Sequence, residues 1–445
     1  RAAPVPAQAG LMGWRFAWLR GWPEIWAPEH RARWLALLDH PDAHASPFVH
    51  PALVRAWLEA KGGEASFQPC FLWATHPSGQ ELFWPLVVVA GGWRHGFLRR
   101  LLPVGAALRP FRPGGTLYDY HEPAVAPSAG DPVLAPGFWP AFTAELDRRQ
   151  GAWFDQCAFP KLRPIGLPEG TPAGVAPFVA LDAYPDFDAY FAARKARVRN
   201  AIRRRIRNLE AEGAVTFQVH GPDEVETVLG WLPSLEAARA RRYPGSDLPA
   251  GFLSGLVTEG LPAGILHCTS LSLDGRAISW DLGFWQGGCF YGYIRSFETG
   301  LAHLSPGVVH LARLIDWLYA HGGRKLDFLV GQEDYKAEWT DGAEMPVTGL
   351  TRLSGAPASL ARRSSPRFIA HPQSLRTAAF RCNSGHRRLT GRKPPPSSPA
   401  SPRVRTTGLS RPPAPSTCVH RRSRCSPTGC ATSSTSTPSV PAAMW

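Results

Sequence analysis

Past Ser354 the sequence contains no aspartate, glutamate or tyrosine, while 15 of its 49 lysines and arginines fall there. That asymmetry removes the meaning from the formal charge of +14. Residues 1–353 hold all 35 acids against 34 bases, so the net charge of the part able to fold is −1. A basic pI is therefore no argument for a nucleic-acid or membrane partner. Residues 354–445 lack hydrophobic periodicity and are dominated by Ser, Pro, Thr, Arg and Ala. Such a composition cannot bury enough apolar surface to offset chain entropy. This stretch reads as a shifted frame of GC-rich sequence, or else as a disordered basic tail.

Other absences narrow the class. The longest uncharged apolar run, Leu82 to Trp93, is a dozen residues, short of the roughly 20 that a spanning helix needs. Arg15 and Arg20 interrupt the N-terminal aromatic stretch, so no signal-peptide core is expected. Arg1 with Met12 close behind suggests an upstream extension over residues 1–11. The eight cysteines show no C-x-x-C spacing, which argues against a disulfide framework or a bound metal and for a reducing, cytoplasmic setting. No G-x-S-x-G elbow, H-E-x-x-H, Walker loop or dinucleotide fingerprint occurs. Trp14, Trp18, Trp22 and Trp26 recur every fourth residue, but Gly21 and Pro23 break any helix there, so they are expected as core aromatics rather than a membrane anchor.

What is present divides into zones. Residues 13–162 carry helical patterns at Pro28–Leu38, Pro51–Ala60 and Gly137–Arg149. Strand-like runs occupy Pro69–Ala74, Glu81–Ala90, Leu98–Val104 and Trp153–Phe159. A Pro- and Gly-rich stretch, 163–177, reads as a linker. In residues 178–353 the pattern predicts a helix over Tyr190–Glu212 closed by Gly213, a strand at Val215–Val219 and a helix over Pro222–Arg239. A meander of Ile265–Leu273, Ala277–Trp285 and Cys289–Phe297 follows, its turns marked by Asp274-Gly275 and Gly287-Gly288. Next come an amphipathic helix at Gly307–Ala320, a buried strand at Lys325–Val330 and a helical turn at Tyr335–Trp339. This order gives a mixed α/β (α+β) class with a mostly antiparallel central sheet.

The 277–339 stretch reads R-A-I-S-W-D-L-G-F-W, G-G-C-F-Y-G-Y-I-R-S-F-E, L-S-P-G-V-V-H-L-A-R-L-I-D-W-L and G-G-R-K-L-D-F-L-V-G-Q-E-D-Y-K-A-E-W. It resembles the acetyltransferase domain of CelD-like and Fem-type proteins in the GNAT superfamily. The basic helix at 193–213, the segment P-F-V-H-P-A-L-V-R-A-W-L-E-A and Y-D-Y-H-E-P at 118–123 extend that resemblance over residues 46–353. It implies two tandem GNAT-like lobes: 13–162, without its own cofactor, and a catalytic lobe at 178–353. It also implies acetyl-CoA or another acyl-CoA as co-substrate, and a small-molecule or glycan amine as acceptor in polysaccharide or cell-envelope biosynthesis. Fem transferases use aminoacyl-tRNA, so a tRNA donor for a cell-wall precursor is the second implication, and a silent GNAT-fold scaffold the third.

The residues support a consistent chemistry. A meander strand leading through Leu304-Ser305-Pro306-Gly307 into a helix offers free N–H groups to an anion. The resemblance places the coenzyme A diphosphate there, with Ser305, Gly307 and Val308 as contacts. Of the superfamily's Q/R-x-x-G-x-G/A loop, however, 302–307 keeps only the last glycine, and Pro306 removes one donor. The pantetheine arm would lie along Cys289–Phe297, which includes Tyr293. Transfer to an amine needs a base and a donor to the leaving group. Glu298 is the first candidate base and Asp327 the second, the latter alternatively a salt bridge to Lys336, Arg295 or Arg324. Tyr335 could donate to the thiolate, and Lys336 could hold a phosphate or carboxylate. Arg295 and Trp339 are candidate substrate contacts, with the core anchor the favoured reading of Trp339. The eight cations between Arg194 and Arg207 are either an anion-attracting field or the solvated face of a helix striped by Val198, Ile202, Ile206 and Leu209.

Overall fold

The computed structural model describes residues 13–64, 67–89, 107–110, 119–128, 133–167, 170–244 and 248–353. They lie in one compact unit. The expected strand at Leu98–Val104 and the expected tail at 354–445 fall outside the described residues.

The first lobe begins with β1 (Arg15–Leu19), α1 (Trp22–Ile25), α2 (Pro28–Leu38) and α3 (Pro51–Ala60). It continues with β2 (Gln68–Pro69), β3 (Phe71–Thr75), β4 (Glu81–Trp84), β5 (Leu86–Val89), β6 (Ala107–Pro110) and β7 (Ala124–Ala126). It closes with α4 (Phe138–Arg149) and β8 (Gln156–Leu162). Trp14 and Trp22 are buried and Trp18 and Trp26 half-buried, so these aromatics pack a core. Pro85 lacks an N–H and splits one long strand in two. Its first half, β4, joins the four-stranded sheet β1-β3-β4-β7, and its second half, β5, joins the large sheet.

The second lobe comprises β9 (Thr171–Ala180), α5 (Phe187–Ala193), α6 (Ala196–Glu210), β10 (Val215–His220), α7 (Val225–Arg242) and α8 (Phe252–Gly260). Then follow β11 (Leu266–Leu273), β12 (Arg276–Gln286), β13 (Cys289–Phe297), α9 (Pro306–Ala320), β14 (Lys325–Asp327), α10 (Asp334–Thr340) and β15 (Glu344–Leu353). The large sheet has eleven strands in the order β10-β11-β12-β13-β14-β9-β15-β8-β6-β5-β2. It is antiparallel except for β13–β14 and β6–β8. In each lobe the helix before the second strand of its parallel pair, α9 or α4, bridges to it, which makes the two lobes repeats of one plan.

Three expectations change. Part of the stretch read as a linker is β9, paired with β14 on one side and β15 on the other, so it joins the lobes from inside the sheet. The helix expected over Tyr190–Glu212 is broken at Arg194, which is extended at φ −66, ψ 153. The buried guanidinium there donates to the Trp339 carbonyl at 3.0 Å and pairs with Asp341 at 2.7 Å, so tertiary bonds override helix continuity. Finally, β14 stops at Asp327 rather than Val330.

One face of the sheet packs Phe290 and Leu326 against Leu311, Leu314, Ile315 and Leu318 of α9. Each such side chain contributes about 1.5–3 kcal/mol on burial. The other face packs Leu282, Phe284, Tyr291 and Ile294 with α7 and α8 and with Phe48, Val54 and Trp57 of the first lobe. Gly255 of α8 abuts α3, since a Cβ there would meet Ala56 Cα at 3.5 Å.

The core also holds a pH liability. Both ring nitrogens of His267 are buried without a hydrogen-bond partner, and the ring packs on Trp317 with centroids 4.6 Å apart. Burial, aided by His321 and His220, lowers its pKa from 6.5 to about 4. Its neutral form therefore contributes stability above the unfolded pKa that is lost as pH falls toward 4. Between pH 7 and 5 this amounts to about 2 kcal/mol. Urea unfolding at the two pH values is expected to show that difference shrinking in His267→Phe; an unchanged difference would refute the assignment.

Candidate active site at the diverging strand pair

β13 and β14 pair in parallel only over Cys289–Tyr291 and Lys325–Asp327. Two local devices end the pairing. On β12, Leu282 faces Ile294 while the next residue, Gly283, faces Gly292, so Tyr293 is an extra residue on β13. Such a bulge adds twist and turns a strand from its neighbour. On β14, Asp327 Oδ1 accepts the Leu329 N–H at 2.8 Å, a tight side-chain turn. Leu329 sits at φ 60, a left-handed conformation that leucine rarely adopts. The strands thus part at an apex formed by Tyr291, Gly292 and Asp327; a Cβ on Gly292 would lie 3.7 Å from the Asp327 carbonyl.

After β13 the chain makes a 3-10 turn over Thr299–Leu304, and Ser305 takes a left-handed conformation at φ 56 before Pro306 opens α9. Ser305, Gly307 and Val308 are brought together and are half-buried. Not every first-turn amide is free, however. Val308 and Val309 donate to the Ser305 carbonyl at 3.0 and 3.3 Å. The Phe297 ring lies over Gly307, where an added Cβ would meet its Cδ1 at 3.0 Å. The glycine is required by that close approach.

The two candidate acids are far apart. Asp327 is fully buried: Oδ1 accepts the Tyr120 hydroxyl at 2.7 Å, and Oδ2 accepts Lys325 Nζ at 3.0 Å. Its partners are therefore Lys325 and Tyr120, rather than Lys336, Arg295 or Arg324. Glu298 stands at the other end of β13, with Arg241 at 3.6 Å and Arg276 at 3.9 Å. Seven residues at about 3.3 Å each place it on the order of 20 Å from the apex. One reacting atom cannot meet both carboxylates.

Other expected contacts are engaged elsewhere. Arg295 is bound to Asp281, its cross-strand partner, with Nε–Oδ2 at 2.5 Å. Burial raises the Asp281 carboxyl pKa while Arg295 pulls it down. Lys336 is buried; its Nζ donates to the Leu329 and Gly331 carbonyls at 3.4 and 3.2 Å and pairs with Glu333 at 2.7 Å. It fixes the segment after β14 instead of facing an open site. Trp339 is fully buried, and its carbonyl accepts from Tyr190 at 2.7 Å, which makes it a core anchor. Tyr335 is half-buried with its ring 6.1 Å from Phe328. Burial pushes its hydroxyl above the ordinary tyrosine range, opposed by Arg295, so it remains a proton donor. The Tyr293 hydroxyl is buried and unpartnered.

The first lobe supplies the residues that sequence reasoning missed. Asp119 pairs with Lys161 at 2.5 Å. Glu122 is wholly buried and pairs with Arg163 at 2.5 Å, and Arg163 reaches the Tyr291 hydroxyl at 3.5 Å. Asp119, Tyr120 and Glu122 come from Y-D-Y-H-E-P, which carried a resemblance but no assigned role. Its signal was a dense set of polar residues in an otherwise apolar lobe. On α6, Arg197, Arg204 and Arg207 are exposed, whereas Arg205 pairs with Glu338 at 3.1 Å. Among the described residues no group of three metal-ligating side chains occurs, and no helix is long and apolar enough to cross a membrane.

Residues 196–337, which contain α6, the meander, the apex and α9, match the acetyltransferase (GNAT) domain family. No curated protein matches the chain. Among solved structures, the chain is similar to the C-terminal domain of a candidate lysylphosphatidylglycerol synthetase from Agrobacterium fabrum. That likeness has 13% identity and a TM-score of 0.48, covering 75% of this chain and 95% of the other. FemX is similar at 11% identity and TM-score 0.44, over 72% and 98%. A tandem GNAT protein from the clavulanic acid biosynthesis pathway is similar at 11% and 0.41, over 77% and 99%. What the comparisons show is therefore a domain: residues 196–337, folded around a bulged strand that parts from its parallel neighbour and leads into a helix, match the acetyltransferase (GNAT) domain family.

Proposed function

We propose that the protein is an N-acyltransferase of the two-lobed Fem-like and CelD-like kind, moving an acyl group from a coenzyme A thioester to an amine. The observation that carries this reading is the divergence of β13 from β14 ahead of the α9 N-terminus. In this reading the diphosphate lies against Gly307 and Ser305. The pantetheine arm adds to the Gly292–Phe297 edge as an extra strand, which brings the acyl carbon to the apex. The amine nitrogen attacks that carbon as the C–S bond breaks. Asp327, with a lone pair left on Oδ2, takes the amine proton, and the Tyr335 hydroxyl donates to the departing thiolate. Glu298, at the diphosphate end, orders Arg241 and Arg276 rather than acting as the base. The acceptor enters from the first-lobe side, as expected of a small-molecule or glycan amine in envelope biosynthesis. Among the described residues Cys70, Cys157, Cys268 and Cys289 are free, which fits a reducing, cytoplasmic setting.

The exposed Arg197, Arg204 and Arg207 favour one second reading, an aminoacyl-tRNA donor. Thermal unfolding separates the two. Acetyl-CoA at a hundred times its Kd is expected to stabilise the fold by about 2.7 kcal/mol, and Gly307→Trp is expected to abolish the shift. Salt-sensitive tRNA binding without any thioester effect would favour the second reading. No response to either ligand would leave a scaffold.

A further inference from the structure

The buried polar layer between the first lobe and the apex holds donors that the protein itself does not use. Arg163 is 7% exposed at its side chain, with Nε on Glu122 and Nη1 toward Tyr291, yet Nη2 is buried without a partner. His44 Nε2 and the Tyr293 hydroxyl are likewise buried and unpartnered. His44 lies within electrostatic reach of Arg163 and Lys325, and burial together with those cations keeps its imidazole neutral, with a pKa of about 3. Unpaired buried donors, above all on a charged group, are costly unless something accepts from them. All three can donate to an oxyanion, and a guanidinium edge matches a carboxylate in shape and charge.

The surrounding charges restrict the ligand further. Lys161 pairs with Asp119, Arg163 with Glu122, Lys325 with Asp327 and Lys336 with Glu333. With each of these four acids already paired, a zwitterion, which adds no net charge, enters at the least electrostatic cost. We infer that this layer is the acceptor pocket and that the acceptor is an α-amino acid, its carboxylate on Arg163 Nη2 and His44 Nε2 and its amino group toward Asp327. Arg163 and Asp327 border the same two tyrosines: the guanidinium reaches the Tyr291 hydroxyl and lies 4.8 Å over the Tyr120 ring, while Asp327 is in register with Tyr291 and accepts from the Tyr120 hydroxyl. The inference deepens the acyl-CoA reading by naming its acceptor class.

The test uses the full chain and two independent readouts. Calorimetric binding of glycine, L-alanine, L-glutamate and L-lysine is measured without any thioester, beside ethylamine and phosphoethanolamine. Release of the coenzyme A thiol from acetyl-CoA is then followed with the same panel. At least one amino acid is expected to bind and to accelerate thiol release at least tenfold over ethylamine. His44→Phe, which leaves the Arg163–Glu122 pair in place, is expected to raise the amino-acid KM at least fivefold with the acetyl-CoA thermal shift unchanged. Arg163→Lys is expected to raise it more. Equal use of ethylamine, preference for phosphoethanolamine, or wild-type KM in His44→Phe would overturn the inference. Amino-acid binding without an acetyl-CoA effect would leave the pocket standing and remove the thioester reading. An acetyl-CoA shift without amino-acid binding would do the reverse.

Discussion

Asp327→Asn is expected to lower the turnover of acyl transfer by about a hundredfold to ten-thousandfold, the range for loss of a positioned general base. The substitution suits the question because the amide oxygen can still accept from Tyr120 and from the Leu329 N–H, so the turn that ends β14 survives. Lys325, 28% exposed, can turn to solvent when its partner loses charge. The acetyl-CoA thermal shift should therefore persist while turnover falls. Glu298→Gln, at the far end of β13, is expected to leave turnover within a few-fold of wild type. If Glu298→Gln costs as much as Asp327→Asn, the apex is not where the chemistry occurs.

The largest loss of stability is expected from Glu122→Gln. Glu122 is wholly buried and its charge is matched by Arg163, itself nearly inaccessible. Removing one member strands the other in a medium that cannot solvate it, at about 3–5 kcal/mol. In the native protein Glu122 offsets the effect of burial on Arg163; in the variant that support is gone, yet the intrinsic basicity of a guanidinium is too high for it to escape by losing its proton. Because Arg163 touches Tyr291 of the second lobe, the loss should appear in a single cooperative transition of both lobes. Chemical unfolding checks this; a loss below 1 kcal/mol would mean that water already reaches the pair.

The second lobe was legible because its signals are local. Asp274-Gly275 and Gly287-Gly288 mark two hairpins that form between β11, β12 and β13, and the α9 periodicity buries Leu311, Leu314, Ile315 and Leu318. What escaped the sequence depends on distant partners. The break at Arg194 is made by the Trp339 carbonyl, 145 residues away, and the place of β9 by strands on either side of it. Asp327 was recognised as an acid needing a partner, but Tyr120 lies 207 residues earlier and no spacing rule reaches that far. Lys336 and Arg295 looked available because a sequence shows charge but not commitment. The carbonyls beside Lys336 and the carboxylate of Asp281 occupy them. The turn into α9 falls where the sequence suggested, at Ser305–Pro306, yet the Phe297 ring over Gly307 follows from packing alone.

In a crystal of the full chain soaked with coenzyme A, diphosphate density is expected against the amide of Gly307, with Phe297 displaced and the pantetheine arm along Gly292–Phe297, its thiol near Asp327. Coenzyme A bound elsewhere, or an unoccupied gap with Phe297 still over Gly307 at saturating ligand, would overturn the acyltransferase reading.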